Sequence, residues 1–322
     1  MKTHAMALLQ ESGIKNGPLC VGLDTDPAYL PQNLLESYSS PSEAVWAYNQ
    51  AIIQRIAPSA DGPGMAACCK VQIAYYEAMG LQGLKVYAET LKAVKKAGLP
   101  VIADIKRGDI ADTAKAYARA HFTGDFEADI ITLNPYMGFD TLEPFVHYAK
   151  PENGSKGMFV LLRTSNPGMT DIEKLRLHAD IAESPDECVL DRVGKQLNRI
   201  AQEFKSVYSG CSPVGAVVGC TEESDARYLR DTYPDIYFLI PGYGAQSGAA
   251  RIAATLLDKA GGTVNSSRGI LTAWKKNETL AEKAAQGIVT MEEIADAAAE
   301  AAWLSKKDLL QCSALLHCSA TL

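Results

Sequence analysis

The stretch VIADIKRGDIADT, Val101 to Thr113, decides how the chain is read. Small and β-branched residues lead into Asp104, and Lys106, Arg107, Asp109 and Asp112 crowd in behind it. An apolar run of this kind reads as a buried strand. Strand side chains alternate, so Asp104 and Lys106 are expected on one side, at the strand's C-terminal end. Asp109 lies beyond the strand, too far along to share that column. A buried acid and amine side by side persist only when paired, and such pairs gather at functional sites.

Seven further apolar runs resemble LPVIADIK (99–106): LCVGLD (19–24), AACCKVQ (66–72), DIITLNP (129–135), GMFVLLRTS (157–165), VGAVVGC (214–220), IYFLIPG (236–242) and TVNSSRGIL (263–271). Helical patterns lie between them, at 42–56, 80–98, 111–122 and 244–260. In the second of these, Leu84, Tyr87, Leu91 and Val94 recur at spacings of three and four, and Gly98 stops the helix. Eight strand–helix units predict parallel strands with right-handed crossovers, closed into a single (β/α)8 TIM barrel of the α/β class over residues 1–322. No GxGxxG follows the first strand, so a dinucleotide-binding sheet has little support. Residues 166–195 are too long for a routine βα connection and are expected to form an insertion and candidate lid after strand five. Residues 277–322 are expected to be a C-terminal helical segment and tail.

Composition limits the function. At 47% apolar and 21% charged, the chain reads as an ordinary globular protein. A formal charge of −7 argues against a nucleic-acid surface. No apolar run is long enough to span a membrane and no secretory signal opens the sequence, so a cytoplasmic location is expected. The eight cysteines form no CxxC pair and the five histidines no HxxxH pair; buried thiols in a reducing compartment are expected, and no metal site.

In a barrel of this kind, chemistry sits at the C-terminal ends of the strands. Polar residues collect there: Asp24 on strand one, Lys70 and Gln72 on two, Asp104 and Lys106 on three, Asn134 on four, Arg163, Thr164 and Ser165 on five. Strand seven opens into PGYGAQSG and strand eight into NSSRG. Singly, each has an ordinary explanation: an Asp after a strand caps a helix, and a strand Lys snorkels to water. Together they would form one alternating charge network. The last two loops of such barrels often bind phosphate, and Gly242, Gly244 and Gly269 allow close backbone approach while Arg268 can grip two phosphate oxygens. From the residues alone, the reading is a barrel enzyme acting on a phosphorylated small molecule.

DIKRGDI with Thr113 behind it resembles the signature of the orotidine 5′-phosphate decarboxylases. VGLDTDP, CCKVQ, LLRTSNPG, IPGYGAQSG and NSSRGI agree and stand in the expected order, over about residues 18–272. The form GLDTDP and the length resemble the longer subgroup of bacteria and some protozoa. The resemblance implies decarboxylation of orotidine 5′-monophosphate to UMP and CO2, the last step of de novo UMP synthesis, with no cofactor. It implies Lys70, Asp104, Lys106 and Asp109 as the catalytic network, with Lys106 protonating C6. It implies Asp24 on the ribose, Thr164 and Ser165 on the pyrimidine, Gln72 lining the site, and Gly242, Gly244, Gln246 and Arg268 at the phosphate. It also implies a homodimer in which Asp109, Ile110 and Thr113 enter the neighbouring subunit's site. Magnesium-dependent sugar-phosphate enzymes sharing DxKxxD, a Schiff-base aldolase and an inactive phosphate-binding barrel are the alternatives.

Overall fold

The computed structural model describes residues 3–319 apart from 61, 209 and 244–248. Eight parallel strands close in sequence order into one barrel. They are β1 Leu19–Gly22, β2 Cys68–Gln72, β3 Val101–Arg107, β4 Ile130–Leu133, β5 Gly157–Arg163, β6 Val214–Val218, β7 Phe238–Ile240 and β8 Gly262–Ser266. Closure pairs β1 with β8, Cys20 lying opposite Asn265. The expected (β/α)8 fold is therefore present.

The helices, in chain order, are α1 Ala5–Asn16, α2 Gln32–Glu36, α3 Pro41–Ile56, α4 Ile73–Glu77, α5 Gly80–Lys96, α6 Ala111–Phe122, α7 Glu143–Val146, α8 Val189–Glu203, α9 Glu223–Thr232, α10 Ala249–Leu256, α11 Arg268–Leu271, α12 Glu278–Ala285 and α13 Met291–Ser319. No described helix is long and apolar enough to cross a membrane. Strand eight is shorter than expected: Arg268 opens α11 instead of extending the strand. The last residues of the stretch 166–195 already belong to α8, and what precedes them holds one 3-10 turn, Pro167–Asp171, and an isolated bridge between Arg176 and Cys188.

Two apolar cores follow from the strand alternation. Val21, Cys69, Val101, Ala103 and Ile131 face outward into the layer shared with the helices. Cys20, Cys68, Ile102, Ile130 and Phe159 face inward and pack under α1, whose Met6 and Leu9 close the N-terminal end of the barrel. One step further along, the inward columns of β2, β3, β4 and β8 carry polar residues: Lys70, Asp104, Thr132 and Asn265, all buried. The apolar lower layer thus forms the floor of a charged upper layer. Gly22 serves the upper layer: a Cβ there would lie 1.9 Å from Ser267 Oγ.

Candidate active site

The upper layer contains a continuous line of charge. Ser267 Oγ donates to Asp24 Oδ2 at 2.7 Å. Lys70 Nζ donates to Asp24 Oδ1 at 3.0 Å and to Asp104 Oδ2 at 2.8 Å. Lys106 Nζ reaches the other oxygen of Asp104 at 2.6 Å, where Thr132 Oγ1 also donates at 2.8 Å. Asp104 is therefore held between two ammonium groups and a hydroxyl. Burial would raise its pKa, but Lys70 and Lys106 outweigh that and hold the carboxyl well below the usual range. Burial would likewise neutralise Lys70, but Asp104 and Asp24 hold its amine protonated, above its ordinary value.

The two lysines differ in access. The Lys70 side chain is 6% exposed and that of Lys106 45%. Lys70 is locked between acids, while Lys106 reaches the mouth with one carboxylate partner and N–H donors left for a ligand.

At the Asp24–Ser267 end of this line, a cavity of about 440 Å³ is lined by Asp24, Gly242, Tyr243, Asn265, Ser267 and Arg268 among others. It brings the expected ribose acid and phosphate cation to one space. Lys276, Tyr29 and Tyr75 also line it, which the sequence did not single out. Gly244 and Gln246 lie outside the described residues. A larger, mostly apolar cavity of about 720 Å³ lies between the ends of β4 and β5 and the segment after β5, with Asn134, Tyr136, Thr164 and Met169 in its wall. The charge line does not border it, so chemistry rather than size assigns the site.

Thr164 follows β5; its N–H donates to Glu173 Oε1 at 3.0 Å and its hydroxyl to the same oxygen at 2.7 Å. Ser165 is exposed beside it. Gln72 caps α4, its Oε1 accepting from Ala74 N at 3.3 Å. Ile110 and Thr113 are exposed at the start of α6. Asp109 does not join the line within its own chain: its Oδ1 accepts from Ile110 N at 2.8 Å. Glu173 and Thr132 were missed. Thr132 carried a signal, being a lone hydroxyl in the inward column of an apolar strand; Glu173 carried none within an irregular stretch.

The family model for the orotidine 5′-phosphate decarboxylase / HUMPS family matches residues 17–283. An orotidine 5′-phosphate decarboxylase of Clostridium botulinum (strain Langeland) is 50% identical over 269 residues, 83% of this chain and 89% of that protein. One from Clostridium kluyveri is 46% identical over 271 residues, 84% of this chain and 88% of that protein. The solved OMP decarboxylase of Leishmania donovani superposes with a TM-score of 0.63 at 30% identity, over 92% of this chain and 99% of that one. With the barrel, the charge line and these relatives together, the chain belongs to the orotidine 5′-phosphate decarboxylase family.

Proposed function

We propose that this chain is a carboxy-lyase that converts orotidine 5′-monophosphate to UMP and CO2 at the end of pyrimidine nucleotide synthesis, with Lys106 as the proton donor. The observation that carries the reading is Asp104 fixed between Lys70 at 2.8 Å and Lys106 at 2.6 Å at the C-terminal mouth of the barrel. When the bond from C6 to the carboxylate breaks, CO2 leaves and the electron pair stays on C6. A fixed ammonium beside that carbon stabilises it: a unit charge pair about 4 Å apart at an effective dielectric near 20 contributes roughly 4 kcal/mol, on the order of a thousandfold in rate. The same ammonium then gives C6 its proton. The neutral amine left behind regains a proton from solvent, which the exposed Lys106 side chain reaches. Lys70, Asp24 and Asp104 hold these charges in place beforehand, so little reorganisation accompanies the reaction.

Asp24 and Lys70 take the ribose hydroxyls, and Gln72 lines the site. Arg268, with the backbone at Gly242 and with Gly244 and Gln246, takes the phosphate. Thr164 and Ser165 read the pyrimidine. The segment from Asn166 to Cys188 acts as a lid. Glu173 latches it onto Thr164, and Lys174 onto Asp225 at 3.2 Å. A pyrimidine carbonyl that takes the Thr164 N–H displaces Glu173, so substrate binding and lid movement are linked. Because charged nucleotides do not cross membranes unaided, such an enzyme works in the cytoplasm, where they are made.

A homodimer completes the site, Asp109, Ile110 and Thr113 being donated across a two-fold axis. In support, the Asp109 carboxylate stands apart from its own charge line, and Ile110 is 54% exposed with Tyr136 and Met137 also exposed. Mixing inactive Lys106→Ala and Asp109→Ala chains should restore activity to some heterodimers; no recovery after verified subunit exchange contradicts donation in trans. The reaction itself is tested by following ultraviolet absorbance of orotidine 5′-monophosphate with purified protein in EDTA. Steady conversion to UMP is expected. No turnover, or turnover that EDTA abolishes and magnesium restores, overturns the reading.

A further inference from the structure

We infer that Thr132 is a positioning residue for the reaction: its single hydroxyl holds the backbone turn that presents Lys106 and aims the carboxylate of Asp104. The inference rests on the reading that Lys106 delivers the proton.

The strand ladder shows why such a group is needed. Between β3 and β4, Ile102 pairs with Ile130 and Ala103 with Ile131, but the next pair joins Arg107 to Leu133. Three residues, Asp104, Ile105 and Lys106, thus stand opposite Thr132 alone, two more than a regular ladder holds. A bulge of this kind re-aims side chains and leaves backbone groups without strand partners. Lys106 adopts φ +44°, in the left-handed region that non-glycine residues occupy only when their surroundings compel it.

The Thr132 hydroxyl supplies that compulsion. Its oxygen accepts from Ile105 N at 3.0 Å and from Lys106 N at 2.9 Å, in place of the carbonyls the bulge has moved away. Its own proton goes to Asp104 Oδ1 at 2.8 Å. A hydroxyl has one donor and two acceptor sites, and here all three are used, so its orientation is fixed. The residue is 1% exposed and stiff at χ1. Past the bulge the ladder resumes, with Asn134 N donating to Arg107 O at 2.9 Å. The ammonium and the carboxylate that flank the reacting carbon in the proposed mechanism are therefore referenced to one buried oxygen atom.

Thr132→Val keeps the shape and removes the hydroxyl, whereas Thr132→Ser keeps the hydroxyl. Because small displacements of a catalytic group cost about a hundredfold, Thr132→Val should lose about 100-fold in kcat with KM for orotidine 5′-monophosphate within about threefold, and Thr132→Ser should stay within about fivefold of wild type in both. If Thr132→Val does not fold, Thr132→Cys, of similar shape to serine but a weak acceptor, should carry the same kcat loss. A kcat within about threefold of wild type, equal losses in the hydroxyl and non-hydroxyl variants, or a loss confined to KM each overturns the positioning role. Lys106→Ala is run alongside. If it retains turnover, the assignment of Lys106 has failed; if it is dead while Thr132→Val is active, only the role of Thr132 has.

Discussion

Arg230 and the Lys70–Lys106 pair are both cationic groups drawn into the protein, and the chain satisfies them in opposite ways. Arg230, on α9, is fully buried. Its guanidinium donates to the carbonyls of Leu256, Tyr233, Ile236 and Gly261 at 3.0 to 3.3 Å and lies 3.7 Å from the centroid of the Phe238 ring. Burial lowers its pKa to about 10, which still leaves it charged at neutral pH. Every partner is a fixed dipole or a ring, and none lines either of the two cavities at the barrel mouth. The lysines instead share ionised carboxylates in a line that ends at a half-exposed ammonium. A charge closed off by carbonyls ties α9, α10 and the N-terminal side of β7 and β8 together. A charge held by other charges, with one end open to the mouth, is prepared to meet a ligand.

That comparison can be broken by separating stability from activity. On the closed side, Arg230→Met should remove four hydrogen bonds to buried carbonyls, although Tyr233 O and Gly261 O keep a backbone donor in Ile236 N and Phe238 N, and destabilise the protein by roughly 3 kcal/mol. Turnover per folded molecule should change less than about twofold, since nothing at the mouth moves. Denaturant unfolding and activity normalised to folded protein measure the two separately. A large fall in activity at full folding would show that the two regions are coupled.

A smaller effect sharpens the same distinction. His121, on α6, is buried against Phe126, and burial, with Arg107 nearby, lowers its pKa from 6.5 to about 4. Between those values the unfolded chain binds a proton that the folded chain refuses. The stabilising contribution is therefore complete above pH 6.5 and is lost as the pH falls through about 4. At pH 5 the loss amounts to roughly 1–2 kcal/mol. His121→Phe should flatten the fall in denaturation midpoint between pH 7 and pH 5, His4 supplying what remains, because burial lowers its pKa also. An unchanged slope contradicts the assignment. Asp104 supplies no loss in that interval, since the lysines keep it ionised far below it.

Much of this was legible in the residues. The apolar runs and their polar ends identified all eight strands and the rim they share, and alternation alone brought Lys70, Asp104 and Asn265 to one layer. Other features were hidden for physical reasons. Asp104 and Lys106 do meet, but strict alternation is not the cause; a bulge and a left-handed residue bring Lys106 round, and a bulge has no periodicity to read. Thr132 matters only because of that bulge. Helix α1 escaped notice because its buried face is narrow, Met6 and Leu9 sealing the barrel floor. RGIL after Ser267 looked like more strand, because a four-residue helix is too short to show a period. The tie from Glu173 to Thr164 spans an irregular stretch in which spacing carries no information.

Lys106 is the centre of the proposed chemistry, and the most direct measurement is turnover and unfolding of Lys106→Ala beside wild type. Charge stabilisation and proton delivery vanish together in that variant, so kcat should fall by at least about a thousandfold. Stability should stay within about 1 kcal/mol, because the side chain reaches solvent and the Lys70 pair with Asp104 is retained. A folded Lys106→Ala protein that turns over orotidine 5′-monophosphate within about tenfold of wild type would contradict the account.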